Sequence, residues 1–533
     1  MEQREDLKSI ISYLPVVLRS STLFWPSAVV EAFKALSKGP QHSNVDSGQL
    51  LFLAISDIRN SLSDHTPLAS SAADGFSLFF DDLISRAEAN KWFGEILPAL
   101  ADVLLRFPSL LEAHYNSSDS VNCLGSRDGL KTSLRLLKSQ EPGIVLLSQE
   151  LIGALLACSF FCLFPNSSRG ANDLQVINFD HLFSSLYDNY NEKQENKIKC
   201  IIHYFERISS SMPAGNVSFE RKVLAVDQTL DYIPSPEAEA WSKSVVSLCQ
   251  FEVCSSGLIE DHSTEALEVD FANKYFGGGA LSRGCVQEEI RFMINPELIA
   301  GMLFLPCMAD NEAIEVVGAE RFSKYTGYAS SFRFCGDFLD KKDTDIMGRR
   351  KTRIIAIDAL VNPGKRQFLH EFLVREANKA FCGFSDPCKS QSYQKLFKDD
   401  HLLEVQLDQG YKCVDGNSDN VLFVGSQDEV GIVTGNWGCG AFGGDPELKA
   451  MIQWLAASQA LRPFVVYYTF GLEALQTLDQ VARWITSHRW SVGDLWNMVV
   501  EYSSQRSKRE TRVGFFNWLL PLLPSDDPMI LDP

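Results

Sequence analysis

Two adjacent carboxylates, Glu288 and Glu289, follow Gln287 and are separated by a short spacer from three consecutive glycines, Gly277, Gly278 and Gly279. Glycines in a row bring backbone N–H groups to a ligand with no Cβ in the way, which suits close approach to a phosphate. A glutamate pair alone is more often solvated surface, and a bare triple glycine more often a tight turn. Here Asp270 and Asn273 precede the glycines, and the apolar-periodic run Ile290-Arg-Phe-Met-Ile294 follows the glutamates at once. That context sets the pair at the start of a helix, against a glycine turn that follows a predicted strand. A partly buried carboxyl in such a place is suited to act as an acid. A nucleotide–sugar bond, with phosphates at one end and a glycosidic centre at the other, has this layout.

A second cluster, Thr434-Gly-Asn-Trp-Gly-Cys-Gly-Ala-Phe-Gly-Gly-Asp445, also follows a strand pattern and precedes a helix that Pro446 suits at its first turn. Gly438, Gly440 and Gly443 formally match the dinucleotide-binding GxGxxG, but no second strand ending in an acidic residue follows at the required distance. A second diphosphate loop facing the first is the better reading. Tyr325-Thr-Gly-Tyr328 and Tyr467-Tyr-Thr-Phe470 put aromatics near glycine or at strand ends. Such residues are more often core; the other reading is stacking on a base. GxSxG, HExxH and Walker A patterns are absent, and the nine histidines are isolated, so no metal-ligand set is visible. The basic runs Arg349–Arg353 and Arg506–Arg509 read as solvated loops.

These residues need elements to position them. Residues 1–215 are mostly helical by spacing, as in Gly94–Arg106 and Lys197–Arg207. After residue 215, short β-rich runs appear at 266–271, 314–317, 353–357, 421–424, 431–434 and 464–470. They alternate with helical segments at 368–380, 446–459 and 474–487, which predicts an α/β layered domain over 216–533 behind a helical domain over 1–215. Of the 533 residues 45% are hydrophobic and 22% charged, an ordinary globular composition. The net charge of −19 disfavours general attraction to nucleic acid, so a polyanionic ligand must be gripped by amides and rings rather than by a basic groove. Thirteen scattered cysteines without a CxxC pair point to a reducing intracellular compartment. The N-terminus carries acidic residues and no apolar core, so no signal peptide is expected. The apolar run Leu151–Phe164 is too short for a membrane span and predicts a core helix, with Cys158 and Cys162 on its buried face.

The Gly-Gly-Gly to Gln-Glu-Glu stretch, with Val269-Asp-Phe-Ala-Asn273 before it, resembles the signature of the poly(ADP-ribose) glycohydrolases. The likeness extends over most of the chain after about residue 90, including Leu147–Ile152 and Phe160–Pro165 of the helical half. The short N-terminus is similar to that of plant-type members, which lack a long regulatory extension. The resemblance implies a macrodomain-like mixed sheet sandwiched by helices, preceded by an all-helical accessory domain. It implies Glu289 as catalytic acid/base, with Glu288 and Asn273 holding ribose hydroxyls. Gly277, Gly278 and Gly279 would donate N–H groups to the diphosphate, opposite a loop of Gly440, Ala441 and Phe442. Gln287 and Ile259 would contact adenine with Glu260 and Asp270 close by, Tyr328 would cover the ligand, and Phe470 would stack on the base. Arg283, in the spacer, would favour the polymer's phosphates. The implied reaction is hydrolysis of ribose–ribose O-glycosidic bonds in poly(ADP-ribose) and its protein conjugates, releasing ADP-ribose, without metal or other cofactor. A macrodomain that binds ADP-ribose without cleaving it is the alternative. A monomer in the nucleus or cytoplasm, binding neither DNA nor membrane, completes the expectation.

Overall fold

Apolar residues recurring at helical spacing wind the first part of the chain into a series of helices, and two kinds of strand follow. The computed structural model describes residues 1–62, 66–122, 131–167, 169–225, 233–398 and 430–520. The strand predicted at 421–424 lies outside these residues. The chain divides into two compact units: Met1–Lys222 with Ala272–Ala309 and Ile314–Ala356, and Val223–Phe271 with Asp310–Ala313 and Ile357–Pro533.

In the first unit, the Ser148 side chain accepts the Leu151 N–H and starts the helix Gln149–Phe160, in which every residue except Glu150 is buried. This is the predicted core helix. Cys158 lies on it; Cys162 is buried just beyond its end, at φ +54°. Phe160 packs against Phe76, Phe80, Trp92, Phe183 and Phe205, and the Phe76 and Phe183 rings stack with centroids 3.8 Å apart. Each fully buried ring contributes on the order of 2–3 kcal/mol through lost apolar surface. The same core runs on through Phe276, Phe292 and Met302, which lie against the first glycine loop. The helix Glu192–Ser210, capped by Asn191, adds a buried stripe of Ile198, Ile201, Phe205 and Ile208.

Four strands of this unit lie in the order Gly143–Ser148, Asn216–Ala225, Glu312–Val317, Arg353–Asp358, and the two registered pairs are antiparallel. Gly143–Ser148 falls inside the segment read as helical; its run Ile144-Val145-Leu146-Leu147 is too short for periodicity to separate strand from helix. The arginines of 349–353 do not form a solvated loop. Arg349 pairs with Asp345, Arg350 with Glu320 and Arg353 with Glu315, which also holds Lys222 at 2.6 Å.

The second unit carries parallel strands in the order Ala266–Ala272, Gly431–Gly435, Phe464–Tyr468, Gln250–Cys254. Gly431–Gly435 is buried throughout, as a strand covered on both faces must be. Its principal helices are His370–Phe384, Pro446–Gln459, Leu478–Ser487 and Val492–Lys508. Asp445 caps the second of these by accepting the Leu448 N–H, with Pro446 at its first position. Strands of both senses among helices match the expected mixed α/β layering. Among the described residues no helix is long and apolar enough to cross a membrane.

Candidate active site

The strand Ala266–Ala272 runs out into Asn273, and the chain turns through the three glycines before entering the helix Gln287–Ile294. Gly277 has φ +95° and Gly278 +49°, conformations that L side chains rarely adopt. A Cβ on Gly278 would stand 2.5 Å from Glu288 Oε2 and 2.8 Å from Glu289 Oε1. The glycines therefore make room for the two carboxylates.

Both glutamates are buried at the first turn of the helix. Glu288 accepts the Asn273 N–H at 2.9 Å on one oxygen and the Gly277 N–H at 2.7 Å on the other. Glu289 accepts the Gly279 N–H at 2.9 Å and the Val286 N–H at 2.8 Å, again one per oxygen. Gly278 N–H goes to the Tyr275 carbonyl at 2.9 Å. All three amides that the resemblance assigns to a diphosphate are thus donated inside the loop. The triple glycine is the seat of the carboxylates. Each Glu289 oxygen keeps one lone-pair site beyond its amide bond, which is where a proton can be carried. Neighbouring residues on a helix point in different directions, and this loop answers both by wrapping around them.

Tyr328 is more than half exposed, at 54%. It follows Gly327, which at φ +75° permits the turn. Its hydroxyl lies near the Gln287 backbone and Glu289, and burial raises the phenol above its ordinary range. Gln287 and Asn273 are half-buried. Arg283 is exposed, with Asp188 3.6 Å away.

Lys197 and Gly284 carry no sequence motif yet hold the loop. The Lys197 ammonium, fully buried, donates to the carbonyls of Ser282 at 2.7 Å and Gly284 at 2.6 Å, with Gly279 at 3.4 Å. Gln194 adds a bond to Ser282 O at 3.1 Å. The available signal was a cation on the apolar stripe of a helix, four residues before Ile201.

In the second unit the other glycine loop is built differently. Trp437 is fully buried, donates its indole N–H to Ile357 O at 2.9 Å, and carries the Lys449 ammonium 4.0 Å from its ring. Lys449 pairs with Glu376, and burial pushes it well below the ordinary lysine range. A Cβ on Gly438 would meet Lys449 Nζ at 3.3 Å, so this lysine underlies the loop. The Phe442 carbonyl accepts the Asn362 N–H at 2.9 Å and Gly443 closes a turn onto Gly440 O at 3.0 Å. Among the described residues, no partner is found for the N–H groups of Gly440, Ala441 and Phe442. Three successive N–H groups without a partner on this turn are donors that an anion can accept.

Phe470 follows the strand Phe464–Tyr468 at φ +52°, an outlier for a bulky residue, and shows 45% of its surface. Glu260 is half-buried and Asp270 fully buried. Ile259 is 1% exposed, in an apolar cluster with Ala266, Val433, Val466 and Tyr468, so its side chain serves the core.

Helices ahead of an α/β region with two glycine loops at strand ends define a macrodomain-fold protein with an attached helical domain. Residues 84–221 match the helical domain of poly(ADP-ribose) glycohydrolase, and residues 238–477 match that protein's macro domain fold. The chain is 58% identical to poly(ADP-ribose) glycohydrolase 1 of Arabidopsis thaliana over 563 aligned residues, covering 100% of both chains. It is 52% identical to the probable poly(ADP-ribose) glycohydrolase 2 of that plant, covering 98% of this chain and 100% of the relative. Poly(ADP-ribose) glycohydrolase 1 of Caenorhabditis elegans is 34% identical over 52% of this chain and 31% of its own length. This chain belongs to the poly(ADP-ribose) glycohydrolase family.

Proposed function

We infer that this chain is a glycosidase that hydrolyses the ribose–ribose O-glycosidic bonds of poly(ADP-ribose) and releases ADP-ribose. The observation that carries the reading is the seating of Glu289: a buried carboxyl held at both oxygens by loop amides, with a proton-carrying site left on each. Glu289 gives its proton to the departing ribose 2′-oxygen as the bond from that oxygen to the anomeric carbon of the neighbouring ribose breaks and oxocarbenium character develops there. The resulting carboxylate then takes a proton from water as the water attacks that anomeric carbon, which restores the acid. One carboxyl performs both transfers, with Glu288 bracing the loop beside it at Asn273 and Gly277. Glu288 and Asn273 hold the ribose hydroxyls around the scissile bond.

Diphosphate recognition falls to the free amides of Gly440, Ala441 and Phe442, while Gly277, Gly278 and Gly279 offer close approach without a Cβ. Phe470 stacks on adenine, Tyr328 covers the ligand, Gln287 contacts the adenine with Glu260 and Asp270 close by, and Ile259, its side chain in the core, backs that end. Arg283 meets a polymer phosphate. A domain boundary near 215/216, a monomeric state, location in the nucleus or cytoplasm, and no direct DNA or membrane binding belong to the same reading. A non-catalytic ADP-ribose binder would have no use for the seated Glu289. Incubation with purified poly(ADP-ribose), with products resolved by size, tests the activity: ADP-ribose should accumulate, and intact polymer would refute it.

A further inference from the structure

Beneath the Glu289 loop lies a buried charge that the reaction as described leaves unexplained. Lys197 comes from the helix Glu192–Ser210, and its ammonium points at three main-chain carbonyls, those of Gly279, Ser282 and Gly284. Among the described residues no carboxylate forms an ion pair with it. An ammonium out of water without a paired anion is strongly disfavoured unless its donors are used, and here all three are. The carbonyls it gathers belong to the segment that seats the catalytic carboxyl. Gly279 holds Glu289 Oε1 through its N–H, and Gly284 lies so close that a Cβ there would be 2.6 Å from the Glu289 carboxyl carbon.

We propose that Lys197 is a positioning residue: its charged ammonium gathers the 279–284 segment and so sets where the Glu289 carboxyl sits during proton transfer. The inference rests on Glu289 as the acid/base. The titratable groups around the ammonium are Cys285 and Glu289 across from it, which favour its charge, Lys193 on its own helix, which opposes it, and Cys200, which favours it. Burial outweighs them and brings Lys197 down from 10.5 to about 8. Burial raises the Cys285 thiol to about 11, out of the same range. A neutral amine has two N–H donors for three carbonyls. Positioning is therefore complete below the lysine's folded value and is lost as pH rises through it.

The test is kcat and KM for ADP-ribose release from purified poly(ADP-ribose), from about pH 6.5 to about pH 9.5, for the wild type, Lys197→Met and Glu289→Gln. The wild type should lose turnover through an inflection near pH 8. Lys197→Met should have kcat lowered about 10- to 100-fold at neutral pH, as for a catalytic group displaced by a fraction of an ångström to an ångström. Its KM should stay within about threefold, and its alkaline inflection should be gone. A Lys197→Met enzyme with wild-type kcat, or with the inflection intact, overturns the proposal. Should the methionine variant fail to fold, hydrogen exchange of the 277–289 amides in the wild type decides. Corrected for intrinsic rates, exchange should rise between about pH 7 and about pH 9, and unchanged protection refutes the positioning role. Inactive Glu289→Gln beside a normal Lys197→Met removes this inference alone; fully active Glu289→Gln removes the reading on which it rests.

Discussion

Gly284→Ala should disable the enzyme while leaving it folded, because the added methyl enters the space of the Glu289 carboxyl. Gly284 has no positive φ, so the backbone itself accepts alanine. The new Cβ would lie 2.6 Å from Glu289 Cδ and Oε1 and 2.8 Å from Gly279 Cα, where ordinary contact begins at 3.4 Å. Relief requires the carboxyl or the loop to move by about 0.8 Å, and misplacement of a catalytic group on that scale costs about 100-fold in rate. Either movement also pulls Glu289 Oε1 from the Gly279 N–H. Overpacking of this kind costs about 1–3 kcal/mol, well inside the 5–15 kcal/mol that holds a typical fold together. The assay is kcat for ADP-ribose release at saturating polymer, with thermal unfolding measured on the same preparation. Gly94→Ala, where nothing lies within 4 Å of the new methyl, serves as control. A Gly284→Ala enzyme with kcat within about threefold of wild type would refute the claim that this seat defines the acid/base.

Phe470→Ala should weaken ADP-ribose binding by about 5- to 150-fold, the loss of about 1–3 kcal/mol of stacking. Titration calorimetry measures it, and unchanged affinity would remove Phe470 from the base contact. Polymer binding should depend only weakly on salt, with a slope of log K against log salt shallower than about −3, since the chain carries a net −19 and the free amides add no charge. A steeper slope would reveal a basic surface. Glu297, fully buried between Gln149 and the Glu320 N–H, is raised by burial from 4.5 to about 8. Its folded state holds a proton that the unfolded chain releases above about pH 4.5, so its contribution is complete below that value and lost as pH rises through about 8. Denaturant unfolding should show a loss on the order of a few kcal/mol between about pH 5 and about pH 8, abolished in Glu297→Gln. A variant with the same pH slope would clear Glu297 of responsibility.

The helix Pro446–Gln459 was legible because Asp445 and Pro446 mark its start, and the core helix after Ser148 because a nearly unbroken apolar run from Leu151 leaves it almost no solvent face. The Gln-Glu-Glu signature was legible as chemistry, since the glycines and carboxylates lie close in sequence. What escaped depends on distance or direction. Lys197 meets its carbonyl partners 82 to 87 residues further along the chain, a pairing no local pattern reveals. The two glycine loops look alike in sequence, yet one turns its amides inward to carboxylates and the other leaves them free. That distinction is set by where Glu288 and Glu289 fold, not by the number of glycines. Ile259 was readable as apolar, but only the fold shows its side chain in the core.

If Glu289 moves the proton, Glu289→Gln must abolish turnover without abolishing binding. Glutamine keeps the size of the side chain and one acceptor for the Gly279 and Val286 amides, but it cannot donate and regain a proton. ADP-ribose release from polymer should fall by at least about 100-fold, the usual worth of a positioned general acid/base, while ADP-ribose binding measured by calorimetry stays within a few-fold. Release at the wild-type rate would show that another group moves the proton.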